Sequence, residues 1–367
     1  MMIAIFITIA QSFLFLVHFF VYRTFVHFFG ISEPGQMSVT KAVFVVLSLS
    51  FLVASILAFR FYGVWVRFIY IPAVVWLGTL FWLFWAGILA RLVEWIGHAA
   101  MPGKDLSRVG ASLIILALLV SAFGVWNSYQ TRVRQVTVAL PNIPASWRGR
   151  KAVLVADTHL GNVRNLNFSK KIAGLISAQK PDIVFIAGDF YDGTPENFGL
   201  LAEAFGKIDS RFGVYFAPGN HEEFGDSAPK LRGIAESNIK VLNNRMEVVD
   251  GLQVAGVSYM ATNNSADEKK LLEDMKLDTS VPSVLINHVP RHIPIAEAAG
   301  ISLQVSGHTH NGQMFPINFI TRLVYGKYYY GLNSSGNLQV LTTGGAGTWG
   351  PPQRVGTNSE IVVITFE

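Results

Sequence analysis

Four apolar stretches, at roughly 1–29, 39–59, 68–90 and 110–129, fill the first third of this 367-residue chain. A helix rising 1.5 Å per residue crosses a hydrocarbon core of about 30 Å in about 20 residues, so each stretch is long enough to span a bilayer. Arg23 interrupts the first only near its end, where a long side chain reaches the headgroups. Residues 1–130 hold seven Lys or Arg and three Asp or Glu, against twenty-two and twenty-one in the remainder. The chain therefore reads as two parts with different solvents, a four-span transmembrane domain over 1–130 and a polar domain over 151–367, joined by a connecting segment at 131–150. A cleaved signal peptide fits poorly, because the first stretch lacks a basic leader and three more follow it.

The same charge count excludes several functions. Four of the five net positive charges fall in the apolar part, so the pI near 9.3 does not report a basic nucleic-acid surface, and no nucleic-acid partner is expected. With no cysteine, disulfides, thiolate zinc sites, iron–sulfur clusters and cysteine nucleophiles are excluded. His18, His27, His98 and Glu94 stand apart from any carboxylate cluster and are expected to make interhelical or interfacial hydrogen bonds. Four spans return the chain to its starting side. The first and third connections carry Arg23, Lys41, Arg91, Lys104 and Arg108, whereas the second and the exit segment carry Arg60, Arg67, Arg132, Arg134, Arg148, Arg150 and Lys151. This bias places the polar domain of a multi-pass protein in the cytoplasm.

The polar part changes period. Short apolar runs at 151–156, 182–187, 213–217, 252–257, 284–287 and 303–306 read as strands, with helices at 168–179 and 196–207 between the first three. Most of these strands run straight into polar residues, so a crevice at their C-terminal ends should collect the chemistry. A β-rich close at 336–344 and 360–366 favours an α/β domain of two sheets with helices outside over a Rossmann sheet. Five of the six histidines here sit in compact motifs: Asp157-Thr-His159, Gly219-Asn-His221-Glu222, Asn287-His288 and Gly307-His308-Thr-His310. An Asp and a His one residue apart at a strand end reach a common ion.

In this order, Asp157-Thr-His159, Gly188-Asp189-Phe-Tyr-Asp192, Gly219-Asn220-His221-Glu222, His288 and Gly307-His308-Thr-His310 resemble the split motif of the calcineurin-like metallophosphoesterases, in a membrane-anchored branch. The resemblance implies two packed mixed β-sheets flanked by helices and a dinuclear metal site. It places Asp157, His159, Asp189 and His310 around one ion and Asp189, Asn220, His288 and His308 around the other, with Asp189 as the bridge. It further implies His221 as the acid that protonates the leaving oxygen, and a hydroxide between the ions as the attacking group. Asp192 and Glu222 are expected to anchor ligands, His292 to be a secondary contact, and Arg354, after a late glycine-rich segment, to meet a substrate phosphate. One departure from the resemblance is Asn311, where many members of this branch read a glycine. Carboxylate, amide and imidazole donors suit Mn²⁺, Fe²⁺ or Zn²⁺ better than an all-oxygen Mg²⁺ site.

The expected activity is metal-dependent hydrolysis of a phosphoester or pyrophosphate. A nearly neutral catalytic domain needs no four-span anchor to act on a freely diffusing ester, so membrane lipids, and a lipid-linked phosphate or nucleotide-lipid among them, are the expected partners. The segment 313–325, with Arg322 and Lys327, combines large apolar and basic groups that would dip into headgroups; a buried packing contact is the competing role. The other readings are a receptor or scaffold with a degenerate hydrolase domain, and a hydrolase of soluble nucleotides or phosphomonoesters.

Overall fold

A computed structural model describes residues 2–61 and 63–367; Met1, the expected start of the first span, lies outside them. The chain forms two compact units, Met1–Trp126 with Gly350–Gln353, and Asn127–Trp349 with Arg354–Glu367.

In the first unit, α1 (Met2–Phe28), α2 (Pro34–Arg60), α3 (Val64–Ala100) and α4 (Ser107–Ser128) are all long and apolar enough to cross a membrane. Pro34 opens α2 at a position where its missing N–H costs nothing. Helix α3 has 37 residues, well beyond the span expected over 68–90. The isolated polar residues find partners across helices. His18 Nδ1 donates to Leu14 O at 2.8 Å, which leaves Nε2 to accept from Trp76 Nε1 at 2.9 Å. Glu94 meets both His27 (2.6 Å) and Arg91 (3.3 Å). The late segment Gly350–Gln353 belongs to this unit rather than to the polar domain: Gln353 Oε1 accepts from Trp82 Nε1 at 3.0 Å, and its Nε2 donates to Ser121 Oγ at 2.9 Å. Gly78 makes room for it, since an added Cβ would lie 2.7 Å from the Gln353 amide.

The second unit holds two six-stranded mixed sheets. The first comprises β1 (Arg132–Val138), β2 (Lys151–Val155), β3 (Ile183–Ala187), β4 (Val214–Ala217), β5 (Lys240–Val241) and β12 (Glu360–Phe366), in the order β1-β12-β2-β3-β4-β5. The second comprises β6 (Arg245–Val249), β7 (Leu252–Val257), β8 (Ser283–Asn287), β9 (Leu303–Ser306), β10 (Gly331–Ser335) and β11 (Leu338–Thr342), in the order β10-β11-β9-β8-β7-β6. Strands β2 to β5 run parallel, as do β7, β8, β9 and β11. The segment 131–150 is not a free connection. Its alternating Arg132-Val-Arg-Gln-Val-Thr-Val138 forms β1, which pairs along its full length with β12, and Trp147 is fully buried.

Period-two alternation sorts side chains into layers. Leu154 and Phe185 face the second sheet, where Val284, Ile286 and Val305 meet them. Val153, Val155, Val184 and Ile186 face α5 (Leu166–Ser177), α6 (Phe198–Gly206) and, beyond the short α7 (Asn220–Glu223), α8 (Ala228–Glu236). Leu285 packs on the far side against α9 (Ser265–Asp274) and α10 (Ile293–Ala298). Each fully buried Leu, Ile, Val or Phe contributes about 1.5–3 kcal/mol, so this double-sided burial fixes the strand ends that carry the site. One further helix, α11 (Ile317–Tyr325), follows the last histidine motif and buries none of its residues.

Candidate metal centre

Five strands end at one place. Asp157 and His159 follow β2, Asp189 follows β3, Asn220 follows β4, His288 follows β8, and His308 and His310 follow β9. Asp157, His159, Asp189, His308 and His310 all adopt left-handed backbone angles, with φ from 46° to 69°. That conformation costs roughly 1–2 kcal/mol per residue, somewhat less for Asp, and its recurrence at one site is a mark of side chains aimed for a purpose. Gly188 (φ 73°) permits the close approach, because a Cβ there would lie 2.6 Å from His288 Nδ1.

The donors fall into two clusters. In one, His159 Nε2 lies 3.1 Å from His310 Nε2, which is 3.5 Å from Asp157 Oδ1. In the other, Asn220 Oδ1 lies 3.1 Å from His288 Nε2 and 3.0 Å from His308 Nδ1. Asp189 faces both, with Oδ2 3.2 Å from His288 Nε2 and 3.9 Å from His159 Nε2.

The hydrogen bonds show what this arrangement requires. His288 Nδ1 donates to Ala187 O at 2.7 Å, so on a neutral ring Nε2 carries a lone pair. That lone pair points at two oxygens, Asn220 Oδ1 and Asp189 Oδ2. Acceptors meeting at such distances require a positive charge between them, either a proton or a metal ion. Without an ion the site draws a proton: burial alone would lower the His288 pKa, but the charge and hydrogen bond of Asp189 raise it to about 9. Burial raises Asp157 to about 7 despite the opposing charge of His288. It lowers His308 to about 3, aided by His288, and holds His159 and His310 well below the usual imidazole value. Burial would raise Asp189, but His288 keeps it well below the usual carboxylate range. Neutral His159, His308 and His310 beside an ionised Asp189 are already in the protonation states that a divalent cation needs, Asp157 and His288 reach them by giving up a proton, and the donor set fits such an ion.

His221 donates its backbone N–H to Asp189 Oδ1 at 2.9 Å and its Nδ1 proton to Asp192 O at 2.9 Å, which leaves Nε2 for proton exchange. Its ring stands edge-on to His159, and its donor atom lies within the same 4.8 Å grouping as those of His159 and Asp189. The Asp192 carboxylate, whose pKa burial raises to about 6, is 3.9 Å from His159 Nδ1, a nitrogen with no hydrogen-bond partner among the described residues. Glu222 anchors backbone rather than imidazole: its carboxylate accepts from Asp189 N (2.9 Å), Gly219 N (2.9 Å) and Tyr191 N (3.0 Å). His292 bonds Glu268 at 2.7 Å, and Glu268 also accepts from Asn287 beside His288. Asn311 takes a left-handed φ of 53°, which Asn tolerates better than most residues.

Arg354 departs from expectation. It is fully buried, and its guanidinium donates to His310 O (3.1 Å), Gly347 O (2.8 Å) and Gly344 O (2.5 Å). An arginine already bound to three carbonyls, with no exposed surface, supports the His310 turn and does not face a substrate phosphate. Two cations were missed by sequence reasoning. Buried Lys230 donates to His221 O and Phe224 O, both at 2.8 Å, and so fixes α7; nothing in α8 marks it. Arg291, three residues after His288, lies over the Tyr259 ring beside His308 and depresses the His308 pKa further; its nearness to a histidine motif was the available signal.

The family model for calcineurin-like phosphoesterases matches residues 150–312, which contain every ligand candidate. An uncharacterized metallophosphoesterase of Campylobacter jejuni is 31% identical over 261 residues, covering 70% of this chain and 69% of that protein. This chain belongs to the calcineurin-like metallophosphoesterases. A transmembrane protein with a metallophosphoesterase domain from Danio rerio is 29% identical over 310 residues, covering 78% of this chain and 70% of that protein. An uncharacterized metallophosphoesterase of Helicobacter pylori is 29% identical over 272 residues, with 71% and 70% covered. With the family's donor residues assembled at one site, this metallophosphoesterase is a metal-dependent phosphoester hydrolase, associated with membranes through its apolar helices.

Proposed function

We propose that the protein is a multi-pass membrane hydrolase that cleaves a phosphodiester or pyrophosphate bond in a lipid-linked phosphate, with its catalytic domain in the cytoplasm. The observation that carries the chemistry is the Asp189 carboxylate facing both donor clusters. Asp157, His159, Asp189 and His310 would hold one divalent ion, and Asp189, Asn220, His288 and His308 the second, with Mn²⁺, Fe²⁺ and Zn²⁺ favoured by the donor types. Two such ions supply an activated water and offset the charge that builds on the phosphoryl oxygens. His221 protonates the leaving oxygen from Nε2, because Asp192 O fixes the Nδ1 proton and hence the ring's orientation. Four membrane-length helices in the same chain support a substrate that resides in the bilayer.

The test is a screen of lipid extracts with detergent-purified protein and each candidate ion, alongside Asp189→Ala. The reading expects a released phosphorylated headgroup that the variant fails to produce. Turnover confined to water-soluble esters overturns the lipid substrate, and no turnover with any ion favours a scaffold with a degenerate domain. Protease cleavage of the catalytic domain in right-side-out vesicles overturns the cytoplasmic placement.

A further inference from the structure

Helix α11 is amphipathic in the wrong sense for a helix on a water-facing domain. Its partly covered residues include polar Asn318, Thr321 and Tyr325, which share one face at helical spacing. Phe319, Ile320, Leu323 and Val324 form the opposite face and are 55%, 60%, 85% and 67% exposed. Surface helices normally turn their apolar stripe inward, and a contiguous exposed patch of large apolar groups marks a binding surface. Gln313 and Met314 at the start of the segment are buried, but the packing role fails for the helix itself, none of whose residues is buried.

The helix is tied to the metal centre at both ends. It begins seven residues after His310, and the Tyr325 ring near its end lies 6.0 Å from the His308 ring. Phe319, Leu323, Arg322 and Lys327 also line a cleft of about 500 Å³, so that apolar and cationic side chains share its wall. Apolar contact beside basic groups matches an anionic lipid, whose acyl chains meet the first and whose phosphate meets the second.

We infer that α11 is an interfacial helix that inserts its Phe319, Ile320, Leu323 and Val324 face into an anionic bilayer surface and delivers lipid phosphates to the His308 side of the metal centre. The occupant is a bilayer because the same chain carries four helices of membrane length, so the domain operates at a lipid surface. Arg322 and Lys327 give the site its preference for anionic headgroups. The inference deepens the proposed function and rests on the reading of the domain as a hydrolase at a membrane.

The chain has no cysteine, so single-cysteine labelling is direct. Full-length protein bearing Leu323→Cys with an environment-sensitive dye is reconstituted in phosphatidylcholine vesicles with and without phosphatidylglycerol. Val248→Cys, exposed on β6 at the opposite edge of the second sheet from β10, is the reference. The expected result is quenching of the Leu323 label by spin-labelled lipid, stronger with phosphatidylglycerol, and none at Val248. Equal quenching at the two positions, or none at Leu323, overturns the inference. A Phe319→Ser, Leu323→Ser double variant should lose roughly tenfold or more of its hydrolysis of vesicle-borne phosphodiester, since each side chain withdraws a large apolar surface from the lipid. Its hydrolysis of a soluble nitrophenyl phosphodiester and its thermal midpoint should be retained; a parallel loss of both activities makes the face a packing surface and overturns docking. Soluble-ester turnover without quenching would sink the docking helix alone, and quenching without turnover on any ester would sink the hydrolase reading alone.

Discussion

Replacing Arg354 separates a scaffold from a substrate contact. The guanidinium supplies donors to three buried carbonyls, those of His310, Gly344 and Gly347. A buried acceptor left without a partner costs about 1–3 kcal/mol. Against this, burial already disfavours the Arg354 charge and lowers its pKa to about 10, so removing it relieves part of a desolvation cost. Three such carbonyls, less the desolvation relieved, leave a net loss of roughly 3–5 kcal/mol. For a domain of this size each kcal/mol shifts the midpoint by about 2–4 °C, so Arg354→Ala should lower the thermal midpoint by roughly 10 °C. Arg354→Lys keeps the charge but cannot reach three carbonyls from one ammonium and should fall between wild type and Ala. Thermal unfolding of detergent-purified protein with saturating metal reads the first effect, and steady-state kinetics on a nitrophenyl ester reads any effect on KM. A midpoint within about 2 °C of wild type, with KM raised tenfold, would refute the scaffold role and return Arg354 to the substrate.

Two further outcomes follow from the site geometry. His221→Ala should lose roughly 100-fold or more on esters with poor leaving groups and much less on nitrophenyl esters, whose leaving oxygen needs no proton; equal losses would remove the acid role. Metal uptake should release protons, because Asp157 (about 7) and His288 (about 9) are raised in the metal-free site and must deprotonate to serve as ligands. Affinity for Mn²⁺ or Zn²⁺ should therefore rise with pH through the range from about 7 to 9, and calorimetry in buffers of different ionisation enthalpy should give different heats. Buffer-independent heats would contradict those assignments.

Much of the fold was legible because its strands announce themselves. The run Lys151–Val155 ends two residues before Asp157, and Ile183–Ala187 two before Asp189, so an apolar period followed at once by a carboxylate marks both strand and site. Strand β1 was hidden by distance: its partner β12 lies more than two hundred residues later, and nothing local in Arg132–Val138 marks it as part of that sheet. Arg354 was misread for a related reason. A lone arginine after Pro351-Pro-Gln looks free, and its burial is set by carbonyls at 310 and 344–347 that only the tertiary fold brings together. Gln353, adjacent to it, joins the helical unit through Trp82 and Ser121, a pairing that no sequence period encodes. Glu222 and Lys230 act on the backbone of the motif rather than on the chemistry, so residue type alone could not assign their partners.

Anomalous diffraction from crystals of the full-length protein grown with Mn²⁺ tests the shared-carboxylate centre most directly. Two peaks about 3.5–4 Å apart on either side of the Asp189 carboxylate are expected, one beside His159 and His310 and the other beside His288 and His308. A single peak, or manganese bound away from Asp189, would contradict it.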